Sequence, residues 1–228
     1  MRKIIKITLI ILILILCLST LTGCYDASGI ENQAYVIALG IDKGDLNKLK
    51  LSLQITSLTS SESSSSGGGS SQYSQADVIS VDCSTIDEGI TLLNSYISKK
   101  INLSHCKAII ISEELAYQGV SEYIFTFANN LEIRPNSHIL ISKCKANDFL
   151  KNFEPSLESI SARYYELILN STSYSGYTEN ILLYNFYEDI LSTTREATAI
   201  LVNLNDKSLH KTDNNTLNGG FLARRNSY

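Results

Sequence analysis

Five cysteines, three histidines, one pair of adjacent glutamates and a crowd of tyrosines are the residues of this chain best suited to chemistry. Cys17, Cys24, Cys83, Cys106 and Cys144 show no CxxC spacing, which argues against a zinc ribbon or a dense disulfide scaffold. His105 and Cys106 are neighbours. In a strand running to Ser112 their side chains would point to opposite faces, so they could neither form a nucleophile–base pair nor chelate one ion. Cys83, Cys106 and Cys144 therefore read as buried structural thiols. His105, His138 and His210 stand apart from any cluster of carboxylates, and neither a metal nor another cofactor is expected. The chain contains no H-E-x-x-H, G-x-S-x-G, G-x-x-x-x-G-K-[ST] or G-x-G-x-x-G pattern. Gly67-Gly68-Gly69 lies among serines rather than between a strand and a helix. Glu113-Glu114 suit the positive end of a helix better than acid–base work. No catalytic residue is assigned.

Cys24 is different, because of what precedes it. Arg2, Lys3 and Lys6 lead into an apolar block from Ile7 to Leu18 that only Thr8 interrupts. A spanning helix wants about 20 apolar residues, so this block is short for one. A basic start, a short apolar core and small residues behind it are the parts of a secretory signal peptide, expected over residues 1–23. Leu21-Thr22-Gly23-Cys24 is similar to a lipobox, the cleavage signature of bacterial lipoproteins. Cleavage there would make Cys24 the first residue and its thiol the site of lipid attachment. Two or more acyl chains give stable anchoring, at about 0.8 kcal/mol per buried methylene, where one chain is marginal.

Removing the three leader cations from a total of 19 Lys and Arg leaves 16 against 23 Asp and Glu, a net charge near −7 for the remainder. So acidic a chain is a poor candidate for nucleic acid or for electrostatic adhesion to anionic lipid. Lipid on Cys24, not charge, would hold it at a membrane.

The tyrosines Tyr164, Tyr165, Tyr174, Tyr177, Tyr184 and Tyr187 crowd into one short region. Two readings stand side by side. Tyr184, Tyr187 and Leu191 share a helical stripe that could pack into a core. Alternatively Tyr164, Tyr177 and Tyr187 mark a partner-contacting surface, since tyrosine is enriched in interface cores.

The elements that would carry these residues follow from periodicity. Residues 34–42 read as a strand, and 48–56 alternate, with Leu49, Leu51, Leu53 and Ile55 on one face and Lys48, Lys50, Ser52, Gln54 and Thr56 on the other. Lys43-Gly44-Asp45 and Asn47 supply a hairpin turn. Residues 57–76, rich in serine and glycine, are expected to form a disordered loop. Beyond it come a strand at 78–82 and a helix capped from Ser84-Thr85, with Ile86, Ile90, Leu93 and Ile97 inward. Strands follow at 106–112 and 138–142. Between them a helical stretch broken at Gly119 resumes at Ser121–Asn130, with Ile124, Phe127 and Leu131 inward. Helices at 146–153, 156–169 and 178–191 and a strand at 197–204 complete the series. Strands alternating with helices predict an α/β (α+β) domain over residues 24–204, a mixed sheet flanked by helices.

In this order the motifs resemble one family. Gly23-Cys24-Tyr25-Asp26, Ile30-Glu31 and Ala38-Leu39-Gly40-Ile41-Asp42-Lys43 are similar to the start of the Ger(x)C family, the C-subunit lipoproteins of spore germinant receptors. Thr85 to Ile90, His105 to Ala116, Glu132-Ile133-Arg134-Pro135 and Lys145 to Leu150 continue the likeness. Tyr25 stands where the family usually has tryptophan, and Leu131 where proline is common. The resemblance implies a non-catalytic subunit needed for assembly or signalling in the nutrient response of spore germination. It implies two integral-membrane partner subunits and a place on the outer face of the inner spore membrane. It also implies that residues 205–228 are a linker and the truncated start of a C-terminal domain. The alternative is a lipid-anchored extracytoplasmic solute-binding protein. That would need two lobes and a ligand-lined cleft.

Overall fold

A computed structural model of the chain describes residues 1–19, 29, 32–56, 76–153, 161–170, 179–204 and 224–227. Cys24 with its lipobox, the stretch 57–75, Tyr177 and residues 205–223 lie outside the described residues. The chain divides into two units, Met1–Glu31 and Asn32–Tyr228.

In the first unit α1 (Arg2–Ser19) carries the apolar block, and its large apolar side chains from Ile4 to Leu18 are exposed. Thr8 spends its hydroxyl on the Ile4 carbonyl one turn back, 3.0 Å away, which lets a polar residue sit in the apolar run. Among the described residues no helix is long and apolar enough to cross a membrane.

The second unit is built on one mixed eight-stranded sheet. Its strands are β1 (Gln33–Lys43), β2 (Leu49–Thr56), β3 (Asp77–Cys83), β4 (Lys100–Asn102), β5 (Ala108–Ser112), β6 (His138–Ser142), β7 (Thr198–Val202) and β8 (Arg224–Ser227). The order is β3-β2-β1-β5-β6-β7-β8, with β4 also paired to β1. β1, β2 and β3 form an antiparallel meander, β5, β6 and β7 run parallel to β1, and β8 closes antiparallel on β7. The helices are α2 (Ile86–Tyr96), α3 (Glu113–Ala116), α4 (Ser121–Asn129), α5 (Ala146–Asn152), α6 (Ser161–Asn170) and α7 (Leu183–Leu191).

Side chains alternate between the two faces, as a pleat requires. Leu39, Ile41, Ile109, Ile111, Ile139, Ile141 and Leu201 meet α2, α4 and α7 in one core. Ala38, Ala108, Ile110, Leu140, Ile200 and Val202 meet Ala146, Phe149 and Leu150 of α5 and Tyr165 of α6 in the other. This is the α/β architecture expected, with helices on both faces of the sheet. The apolar runs of β5 and β6 follow from it, because both of their faces are covered.

β1 contains an irregularity that its composition hides. Val36 pairs with Ile55 but Ala38 pairs with Gln54, so Ile37 is an extra residue in the ladder. Ahead of it Ala34 and Val36 face the α2-side core; beyond it Leu39 and Ile41 do. One inserted residue has changed the parity of the strand.

Four expectations need correction. The strand written over 106–112 begins at Ala108, and His105 and Cys106 lie in the preceding turn. Leu131, expected inward, stands 103% exposed just past α4. The helix written from Thr178 begins only at Leu183. The chain before it is held to β6 instead, Ile139 N–H donating to the Ile181 carbonyl at 3.2 Å and Leu183 N–H to the Ser137 carbonyl at 2.8 Å. The polar face of β2 is solvated only in part: Lys48 reaches solvent, but Ser52 and Gln54 are buried, because α5 and Tyr165 cover that stretch.

Candidate functional site

The buried polar groups cluster where β1, β2 and α5 meet. Asp42, near the end of β1, accepts from the Ala146 N–H at 2.6 Å with one carboxylate oxygen and from the Asn147 N–H at 2.9 Å with the other. It satisfies two of the donors that the start of α5 would otherwise leave open, a cap supplied from another element. Asn147 in turn donates from Nδ2 to the Ser52 hydroxyl at 2.8 Å. Burial pushes the Asp42 carboxyl above its ordinary value, and the Asn147 and Ala146 amides pull it back. Beside this group the Tyr165 ring stacks on Phe153, with centroids 4.9 Å apart, and its hydroxyl donates to Gln54 Oε1 at 3.4 Å. Both Asp42 oxygens are spent on the scaffold, so its chemistry is that of a structural clamp.

His138 opens β6 in a buried position. Burial holds its imidazole down to about 4, with nearby Lys107 pulling the same way and the Asn180 hydrogen bond opposing. Lys107 itself pairs with Glu166 at 3.2 Å. Cys106 is buried and donates to the Ala108 carbonyl at 3.4 Å, and burial pushes its thiol up to about 12. Cys83 is also buried, with its thiol raised for the same reason. Neither is a nucleophile at neutral pH. His105 is exposed and sets its ring edge-on to Tyr35, 4.9 Å between centroids. Glu113 and Glu114 begin α3, and Glu114 pairs with Lys43 at 3.1 Å. Among the described residues no three His, Cys, Asp or Glu side chains gather as a metal-binding set.

The tyrosines do not converge. Tyr164, half-buried, packs edge-on to Phe153 in the α5-side core. Tyr187, also half-buried, meets Phe125 edge-on on the other side of the sheet, centroids 5.6 Å apart. On α7 the inward residues are Leu183 and Phe186, while Tyr184 is 45% and Leu191 58% exposed. Among the described residues the fully buried tyrosine is Tyr165, which the sequence reading did not single out.

Sequence reasoning also passed over Asn94 and Glu132. They line an open groove of about 610 Å³ bounded by α2, β4 and the end of α4. Asn94 Oδ1 accepts from the Ile101 N–H at 2.9 Å and Glu132 Oε2 from the Leu103 N–H at 3.1 Å. Glu132 belongs to the Glu-Ile-Arg-Pro motif, which was the one signal available.

The Asn32–Tyr228 unit is thus a layered α/β domain, and Asp42, Ser52, Gln54, Ser137 and Asn147 among its buried polar groups are committed to its own backbone and side chains. Residues 26–204 match the family model described as the spore germination protein N-terminal domain. The chain belongs to that family, the Ger(x)C family that its motifs resemble. Three relatives come from Bacillus subtilis (strain 168). The chain is 30% identical over 165 residues to putative spore germination protein YfkR, covering 72% of this chain and 42% of that protein. It is 23% identical over 149 residues to spore germination protein KC, covering 64% and 37%. To spore germination protein B3 it is 24% identical over 172 residues, covering 73% and 42%. The chain therefore matches well under half the length of these relatives. No solved structure matches it.

Proposed function

We propose that this chain is a lipid-anchored, non-catalytic subunit of a spore germinant receptor, serving assembly or signalling in germination. Cys24 carries the lipid. The α/β domain stands on the outer face of the inner spore membrane and docks on two integral-membrane subunits, which Tyr164 and Tyr187 contact from opposite faces of the sheet and Tyr177 contacts as well. The observation that carries this reading is the family match, which begins at Asp26, two residues beyond Cys24. The exposed apolar side chains of α1 support it, because such a surface belongs in lipid or in a translocation channel rather than in water.

The test is chemical. Protein from a spore-forming host, fed an alkyne fatty acid, should carry the label at Cys24 and begin there by mass spectrometry. Cys24→Ala should remain uncleaved and unlabelled. An intact N-terminus on the unaltered protein, or a bare thiol at Cys24, would overturn the anchoring. Tyr164→Ala, Tyr177→Ala and Tyr187→Ala should each weaken co-purification with the membrane subunits without a matching fall in Tm. If binding falls only as far as Tm does, these side chains are core packing. Tight binding of a free germinant by this chain alone would favour solute capture instead.

A further inference from the structure

Among the described residues β4 pairs with β1 along one edge only, Gln33 with Lys100, Ala34 with Ile101 and Tyr35 with Asn102. Its other edge faces the groove, where a neighbouring strand would lie. Unpaired strand N–H groups are a template for another chain, and folded proteins cover or blunt them. Here two side chains do so. The N–H groups of Ile101 in β4 and of Leu103, one residue past its end, donate to Asn94 Oδ1 and Glu132 Oε2. These donors are two residues apart, about 6.6 Å along an extended chain, which is also the repeat of carbonyls down one side of any strand. Asn94 and Glu132 thus stand where two carbonyls of a ninth strand would stand. Glu132 is itself steadied, its own N–H donating to Asn130 Oδ1 at 2.9 Å.

We propose that the outer edge of β4 is a strand-addition site, which takes an extended peptide segment of a membrane partner when Asn94 and Glu132 swing aside. The inference rests on the receptor reading above and adds the mode of docking. Side-chain plugs of this kind release more easily than a paired strand, because moving them disturbs two rotamers rather than a ladder. The occupant's chemistry follows from the walls. Asp87 and Glu132 outnumber Lys100 in the groove, so the added strand carries a basic side chain. Leu131 stands bare on the rim, so an apolar side chain lies beside it. Main-chain bonds supply the affinity, and these two side chains set the register.

The full chain, co-expressed and purified with both membrane subunits, tests this. A photo-reactive benzoylphenylalanine is placed at Thr91 or Thr126, which line the groove, or at Lys151 on α5, across the sheet. The groove positions should crosslink to a membrane subunit and Lys151 should not. The Ile101 and Leu103 amides should exchange at least about tenfold more slowly in the complex than in the free chain. If the subunits co-purify but crosslinks arise only from Lys151, or those amides exchange at the same rate, strand addition at β4 is wrong while the receptor reading stands. If no subunit co-purifies, both fall.

Discussion

The Asp42 carboxylate accepts from the Asn147 backbone N–H at 2.9 Å, across 105 residues of sequence. The pair ties the end of a central strand to the first turn of the helix that covers it, and the adjoining Ala146 bond doubles the tie. Asp42→Ala leaves two buried amides without acceptors. At roughly 1–3 kcal/mol for each group stranded, the variant should lose on the order of 2–6 kcal/mol in a urea titration. Asp42→Asn keeps one acceptor and should lose less. A midpoint for Asp42→Ala equal to that of the unaltered chain would show that α5 does not need the clamp.

His138 makes stability depend on pH, and the sign follows from its depressed value. Its folded value is about 4 against 6.5 for the free side chain, so between those limits the unfolded chain binds more protons than the folded one. The stabilisation is complete above about pH 6.5 and is lost as pH falls towards 4. Between pH 7 and pH 5 the unaltered chain should lose about 2 kcal/mol more than His138→Gln does. Parallel losses in the two proteins would refute the assignment.

Gly40 and Gly89 sit against the packed core where a methyl group does not fit. A Cβ at Gly40 would lie 2.9 Å from Leu150 Cδ1 and 3.1 Å from Ala146 Cβ, and one at Gly89 would lie 2.8 Å from both Cys83 Sγ and Leu51 Cδ2. Alanine inside a helix gains up to about 1 kcal/mol over glycine. Overpacking costs about 1–3 kcal/mol. Packing should win at Gly89 of α2, so Gly89→Ala should lower Tm despite the better helix former. A raised Tm would mean that α2 can shift away from β2 and β3.

The thiols should separate by accessibility. Cys83 and Cys106 are buried with raised values, whereas Cys144 is half-buried, with its sulfur 3.3 Å from the Ser142 hydroxyl. Brief iodoacetamide treatment of the native protein followed by peptide mapping should find the label at Cys144, and at Cys83 and Cys106 only after denaturation. Early label at Cys106 would contradict its burial.

Local pattern was enough to write most of the ladder. The alternation of β2, the unbroken apolar runs of β5 and β6, and the capped start of α2 are all local signals. At that start Thr85 Oγ accepts from the Glu88 N–H and Glu88 Oε2 from the Ser84 N–H. The failures came where distant residues decide. Ser52 and Gln54 look solvated until α5 and Tyr165 arrive from far along the chain. Residues 179–182 have helical composition, yet hydrogen bonds to β6 hold Ile181 and Leu183 in place before the helix starts. Asp42 was visible only as part of a motif, because a cap supplied across 105 residues leaves no local signature. Asn94 was illegible for the same reason, and Glu132 showed only as part of a motif: the amides they serve belong to another element.

The strand order has a consequence for how the chain comes off the ribosome. β1 can find β2 almost at once, but its other neighbour is β5, and Ile41 waits for Ile111. Through that interval a strand rich in isoleucine, leucine and valine has one naked flank. A holding factor that favours such flanks should engage the nascent chain early and let go once β5 has slotted in.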